Sequence, residues 1–206
     1  MFITFEGIDA SGKTTQVDLL EAELKKSGAR LLRTRQPGGT QIGQIIRQIL
    51  LNPDHTQLVA EAEVLLYMAD RIQHIKEVIL PALDDGQIVL CDRYHDATLA
   101  YQGGGRQLDL SWLKPIQDKH LITPDMTFWF DISVEDSQER LQKRNQSQDT
   151  ENCRLESENA LFFQRVNAAY SQMCSDEPER FVRINAVGDI SEIHRTVLKT
   201  VLNKIN

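Results

Sequence analysis

FITFEGIDASGKTT, residues 2–15, decides the fold. An apolar run of strand length leads into a glycine-containing loop, and Lys13, Thr14 and Thr15 open a helical pattern. Gly7, Gly12, Lys13 and Thr14 fit GxxxxGK[ST], with the strand before and helix after that this motif needs. Gly7 and Gly12 let backbone N–H groups turn inward around an anion, the helix N-terminus adds partial positive charge, and Lys13 reaches the outer phosphates. Thr14 would place its hydroxyl on Mg²⁺, and Ile8, Asp9, Ala10, Ser11 and Thr15 complete the cradle. With glycine at about 7% of residues, chance produces the full pattern in roughly one chain of this length in a hundred. A plain glycine turn is therefore the weaker reading, and the chain is expected to bind a nucleoside triphosphate such as ATP.

Working outward, 206 residues suit one α/β domain with a substantial core and are few for two. A net charge of −7 with both signs well mixed argues against a broad nucleic-acid or anionic-membrane surface, so phosphate must be held by a local cluster of Arg and Lys. The chain enters its first strand at once, and no apolar run reaches membrane-spanning length, which predicts a soluble cytoplasmic protein. Cys91, Cys153 and Cys174 are odd in number and widely spaced, without a CxxC or zinc pattern, and are expected as free thiols.

Strand-length apolar runs alternate with helical patterns throughout, the pattern of a parallel sheet covered on both faces. Strands are predicted at Phe2–Glu6, Ala29–Thr34, Gln87–Cys91, Met126–Asp131 and Phe181–Asn185. Helices are predicted at Thr14–Ser27, Gln41–Leu51, Gln57–Leu80, Trp112–His120, Val134–Arg144, Ser157–Cys174 and Ile190–Asn203. Ligands of such sheets bind at the carboxyl ends of the strands, so the residues delivered there carry the function.

The first strand delivers Asp9 inside the phosphate loop. A carboxylate there suits a sugar hydroxyl or a Mg²⁺-bound water better than a phosphate, unless it is simply solvated. The second strand ends in RQPGGT, residues 35–40, where Pro37 and two glycines make a tight turn and Thr40 caps the next helix; Arg47, two turns in, reads on its own as a solvated side chain. Tyr67 and Arg71 lie four apart on one helical face and could stack a flat base and bond its edge. The alternative puts Tyr67 in the core and Arg71 in a surface ion pair with Asp70 or Glu63. The third strand ends in Asp92-Arg93, an acid that can support a metal's water shell and a guanidinium that can grip a second phosphate, or else a plain charged loop. Thr98, Tyr101 and Gln102 then share a helical face before a glycine triplet expected to be flexible.

Taken together, RQPGGT at 35–40, LLYMADR at 65–71, CDRYHDATLAYQGGGR at 91–106 and RLESE…FFQRV from Arg154 to Val166 resemble the thymidylate kinase (dTMP kinase) family over essentially the full length. The resemblance implies a P-loop NTPase fold of the nucleoside-monophosphate-kinase type: a five-stranded parallel sheet flanked by helices, in one domain spanning 1–206, with a mobile lid at about 144–157. It implies phosphorylation of dTMP to dTDP with ATP and Mg²⁺, by a homodimer. Lys13 would contact the transferred phosphoryl group, and Asp9 would meet the 3′-hydroxyl. Arg47 and Arg93 would hold the dTMP phosphate, with the Pro37 turn alongside. Tyr67 would stack on thymine, Arg71 would bond its O4, Thr98 and Gln102 would read the remaining edge, and Tyr101 would crowd a 2′-hydroxyl. Thr14, and Asp92 through water, would hold the metal, and Asn185 and Ala186 would lie near the adenine. The phosphate loop lacks an arginine, so Arg144 and Arg154 resemble the lid arginines of the bacterial type. Gln36, Tyr67, Ala97 and Cys153 depart from the family's usual Glu, Phe, Ser and Asp. The alternatives are a kinase for another pyrimidine nucleotide or a deoxynucleoside, and a nucleotide-binding module without catalysis.

Overall fold

A computed structural model describes residues 1–148 and 153–205. In chain order the elements are β1 (Phe2–Glu6), α1 (Lys13–Lys26), β2 (Leu31–Arg35), α2 (Gln41–Leu51), α3 (Ala60–His74), a π-helical turn (Ile75–Ile79) and α4 (Leu80–Asp84). There follow β3 (Ile88–Asp92), α5 (His95–Thr98), a second π-helical turn (Leu99–Gly105), a 3₁₀ turn (Ser111–Leu113), α6 (Lys114–His120) and β4 (Met126–Asp131). The chain closes with α7 (Val134–Gln148), α8 (Ala160–Asp176), β5 (Phe181–Asn185) and α9 (Ile190–Ile205).

The five strands form one parallel sheet in the order β2-β3-β1-β4-β5. β1 and β4 are buried almost throughout, with Phe5, Phe128 and Phe130 at 0% exposure, as a strand covered on both faces requires. Each such side chain contributes about 1.5–3 kcal/mol on burial. Register places Phe5 beside Asp92, so the end of β3 lies directly next to the loop that leaves β1. No helix among the described residues is long and apolar enough to cross a membrane, and the three cysteines are unpaired.

Three strands and α2 fall where the sequence predicts them, and the remaining differences have physical reasons. β2 starts at Leu31 because Gly28 turns the chain at a φ of 81°. The helix expected over 57–80 begins at Ala60 and continues to Asp84, interrupted by the π turn. Pro81 cannot donate to Glu77 and its ring crowds that carbonyl, and the preceding turn widens so that Leu80 N donates to Ile75 O, five residues back. α8 starts at Ala160 rather than Ser157 because Asn159 caps it, accepting from Phe162 N at 2.9 Å. α7 runs on to Gln148, past the predicted end at Arg144. Of the lid expected at 144–157, residues 149–152 lie outside the described residues.

The glycine triplet is the clearest correction. Rather than a flexible joint, Gly103–Gly105 completes a π-helical turn packed against α8. A Cβ on Gly104 would stand 2.7 Å from Ala169 Cβ, and one on Gly105 2.5 Å from the Phe162 ring. Small residues here permit close packing of two backbones.

Candidate active site

The β1–α1 loop forms the floor of an open cleft of about 980 Å³ at the carboxyl edge of the sheet. Gly7, at a φ of 136°, passes so close to β4 that a Cβ would lie 2.6 Å from Phe130 O. α1 then starts at Gly12–Lys13 with no side-chain cap and no acidic residue in its first turn. Its first N–H groups and its dipole are therefore left for an anion. Lys13 Nζ folds over the loop and donates to Gly7 O (2.9 Å), Ile8 O (2.8 Å) and Ser11 Oγ (3.3 Å). Burial, with repulsion from Arg93, lowers its pKa to about 8; an arriving phosphate would raise it again and favour the charged form.

Arg93 continues from β3 in the left-handed region, at a φ of 63°, with its N–H donating to Phe5 O. That conformation turns the side chain back over the loop, where it donates to Gly7 O at 2.8 Å and to Asp9 Oδ1 at 2.7 Å. Asp9 is thus paired rather than solvated. Burial opposes its ionisation, but Arg93 and Lys13 outweigh that and hold its carboxyl below the ordinary value. Beneath them Glu6, fully buried, accepts from Tyr94 N and the Tyr170 hydroxyl, both at 2.7 Å, and fixes the strand-to-loop turn that carries Arg93. Burial, reinforced by Asp96, raises the Glu6 pKa to about 7.

Thr14 Oγ1 donates to Asp92 Oδ2 at 3.2 Å. A hydroxyl and a carboxylate side by side at the phosphate-loop edge are the hard oxygen donors that Mg²⁺ takes. Among the described residues there is no cluster of three or more acidic, His or Cys side chains, so water and nucleotide phosphates would complete the shell of a bound ion. The pair fits Mg²⁺ held jointly with a nucleotide.

A second, more enclosed pocket of about 110 Å³ adjoins the cleft. Tyr67, Arg71, Thr98, Tyr101, Gln102 and Pro37 all line it. The two cavities share Asp9, Gln36, Arg47, Arg93 and Glu156 on their common wall. Arg71 is no surface ion pair: it is 1% exposed, and its Nε and Nη2 donate to Gln36 Oε1 (2.9 Å) and Tyr94 O (3.0 Å). Gln102 Nε2 donates to Glu63 at 2.7 Å, whereas the buried Thr98 hydroxyl has no partner among the described residues. Tyr101 stacks beneath the Arg93 guanidinium, 5.0 Å from ring centre to Cζ. Arg47 Nη1 donates to Pro37 O at 3.0 Å.

The two arginines expected in the lid part company. Arg144, paired with Glu156 at 2.8 Å, lines the open cleft. Arg154 does not: it is held by the buried Glu63 at 2.5 Å and by Leu50 O, and lines a separate hollow with Arg106 and Glu158. Glu63 also takes Arg106 and Gln102, a convergence of residues distant in sequence that periodicity does not reveal. Sequence reasoning passed over Arg140, which lines the cleft one turn before Arg144 and donates to Ala186 O; the i, i+4 arginine spacing was its available signal. Ala186 itself borders a further hollow with Gly12, Gly188 and Ile190 behind the phosphate loop.

Comparison with known proteins agrees with this geometry. A family model described as thymidylate kinase matches residues 5–197. The thymidylate kinase of Halothermothrix orenii is 45% identical over 203 residues, covering 98% of this chain and 96% of its own length. That of an Exiguobacterium species is 42% identical, covering 100% and 95%. A crystal structure of thymidylate kinase from Ehrlichia chaffeensis superimposes with a TM-score of 0.77 at 32% identity, over 98% of both chains. With that motif set, this sheet order and matches along its whole length, the chain belongs to the thymidylate kinase family.

Proposed function

We propose that the protein transfers the γ-phosphoryl group of ATP to the 5′-phosphate of dTMP, giving ADP and dTDP. The observation that carries this reading is the common wall. An open, cation-lined cleft at a phosphate loop and an enclosed pocket with an aromatic plate meet at Asp9, Arg47 and Arg93.

Phosphoryl transfer leaves a protein mostly alignment and charge neutralisation to perform. The phosphate-loop N–H groups and Lys13 hold the donor phosphates. Arg93 and Arg47 hold the acceptor phosphate on the wall facing them, and Asp9 both orients Arg93 and accepts from the sugar hydroxyl. The acceptor phosphate is already ionised at neutral pH, so no general base is required. Thr14, and Asp92 through water, would hold Mg²⁺, which when bound neutralises charge on the donor phosphates. Arg144, joined by Arg140, supplies positive charge from the lid side of the cleft. Arg154 serves the same end once it exchanges Glu63 for a phosphate as the lid over 144–157 closes and excludes water. In the pocket, Tyr67 stacks on the thymine, Arg71, Thr98 and Gln102 meet its polar edge, and Tyr101 crowds the 2′ position. Ala186 and its neighbours border the adenine.

A homodimer is supported by Ile42, Ile45 and Ile49, which stand exposed on one face of α2, and by Leu65 on the packed α3. A cytoplasmic location is consistent with the unpaired cysteines. The test is ADP release with ATP and Mg²⁺ against dTMP, dUMP, UMP, CMP and thymidine. Preference for dTMP is expected; preference for UMP or thymidine would reassign the acceptor, and no release with any of them would point to a silent nucleotide-binding module.

A further inference from the structure

We propose that Gln36 and His74 are positioning residues for base recognition: a relay from Thr34 through His74 and Gln36 to Arg71 fixes the direction of the Arg71 guanidinium in the enclosed pocket. This rests on the reading of that pocket as the base site.

The relay follows from donor and acceptor bookkeeping. Arginine carries donors only. Arg71 Nε donates to Gln36 Oε1 at 2.9 Å, so the carbonyl of that amide must face the guanidinium and its NH₂ must face the other way. There it meets His74 Nδ1 at 2.9 Å, which must therefore be unprotonated. The ring proton sits on Nε2 and is donated to Thr34 Oγ1 at 2.6 Å. Each polarity is dictated by the one before it. A proton on Nδ1 would set N–H against N–H, and turning the amide over would set NH₂ against Arg71.

There is no slack to absorb such an error. Gln36, Arg71 and His74 are at most 3% exposed, and the His74 ring lies so close to Gly39 that a Cβ there would collide with it. Burial, with the Arg71 charge, lowers the His74 pKa to about 4, which keeps the ring neutral under ordinary conditions. With Nε held by Gln36 and Nη2 by Tyr94 O, Nη1 meets only Met68 Sδ among the described residues, at 3.5 Å. Sulfur is a weak acceptor, so Nη1 keeps its donors for a base carbonyl. Gln36 thus gives Arg71 a fixed bearing without setting a carboxylate against the guanidinium.

The experiment has a spectroscopic and a kinetic arm on the full-length protein. Long-range ¹H–¹⁵N correlation of the imidazoles at neutral pH, without nucleotide, is expected to show His74 as the Nε2–H tautomer, assigned by its absence in a His74 variant. Gln36→Glu, whose carboxylate accepts on both sides, should move a proton onto Nδ1. In kinetics, His74→Phe should raise the dTMP KM about tenfold, the value of one hydrogen bond, with kcat and the ATP KM changed by less than about twofold. His74→Asn, whose side-chain oxygen can stand in for Nδ1, should recover most of that loss. An Nδ1–H tautomer in the wild type, a spectrum unmoved by Gln36→Glu, or an Asn variant no better than the Phe variant would overturn the relay. Should His74→Phe fail to fold, the two spectra decide. Lack of wild-type turnover with dTMP would instead strike at the functional reading, with the tautomer still deciding the relay.

Discussion

The open cleft and the enclosed pocket share a wall but hold their polar side chains in opposite ways. In the cleft, Lys13 and Arg93 donate to main-chain carbonyls of the loop beside them, Gly7 O and Ile8 O, with Asp9 the one charged acceptor, on Arg93. An incoming phosphate can replace those neutral acceptors with charged ones at a gain. In the pocket, Arg71 and Gln102 are committed to other buried side chains, Gln36 and Glu63, which no substrate displaces. The cleft therefore recognises charge by exchange, and the pocket recognises shape by refusing to move.

Removing the exchangeable cations should have the largest effect. Lys13→Ala and Arg93→Ala are expected to cut kcat/KM by about 10²–10³-fold each while the chain still folds cooperatively. Near-normal turnover in either would break the contrast on the cleft side.

The next effect concerns the pocket's own wiring and is read in stability against pH. His74 titrates at about 4 in the folded chain against 6.5 in the ordinary state. Between those values the unfolded chain holds a proton that the folded chain refuses. Stability from this group is complete above pH 6.5 and falls as pH drops through 4, by up to about 3 kcal/mol. Glu6, raised to about 7, contributes an opposite slope as pH rises from 4.5, because there the folded chain keeps the proton longer. Urea denaturation of wild type and His74→Asn side by side cancels the Glu6 contribution. The variant should lose the acid-side fall, and parallel curves would refute it.

A smaller effect separates Arg154 from Arg144. Arg154→Ala leaves a buried carboxylate with one cation fewer and should destabilise the chain by about 1–3 kcal/mol in urea. Arg144→Ala, at a half-exposed pair, should stay within about 0.5 kcal/mol of wild type and act on kcat alone. Smallest is Thr98→Val. Because its buried hydroxyl has no partner among the described residues, the substitution should weaken dTMP binding up to about tenfold yet leave melting unchanged or raised. A drop in melting temperature would show that the hydroxyl serves the fold.

What could be read in advance divides along the same line. The phosphate loop, its flanking strand and helix, and the Asp92-Arg93 tip are contiguous stretches whose chemistry is local, and the structure brings them to one edge of the sheet. The pocket wiring was not legible because its partners are far apart in the chain. Gln36 meets Arg71 across 35 residues, and Glu6 meets Tyr170 across 164. Arg71 read alone fits a solvated helix face equally well, and only burial distinguishes the two. Both π-helical turns were invisible for another reason: they arise from the packing of Pro81 and of Gly103–Gly105 against their surroundings, and apolar periodicity carries no mark of either.

The tight seat of Gly104 and Gly105 against α8 limits how the proposed acceptor site can evolve. Tyr101 and Gln102 ride on a turn that has no room to retreat, since even one carbon added at its base would strike Ala169 or Phe162. Backbone drift is closed as a path to a roomier sugar pocket. If Tyr101 faces the sugar as proposed, a descendant that takes ribonucleotides would have to trade the tyrosine ring itself for something smaller, giving up its stack beneath Arg93 in the same step.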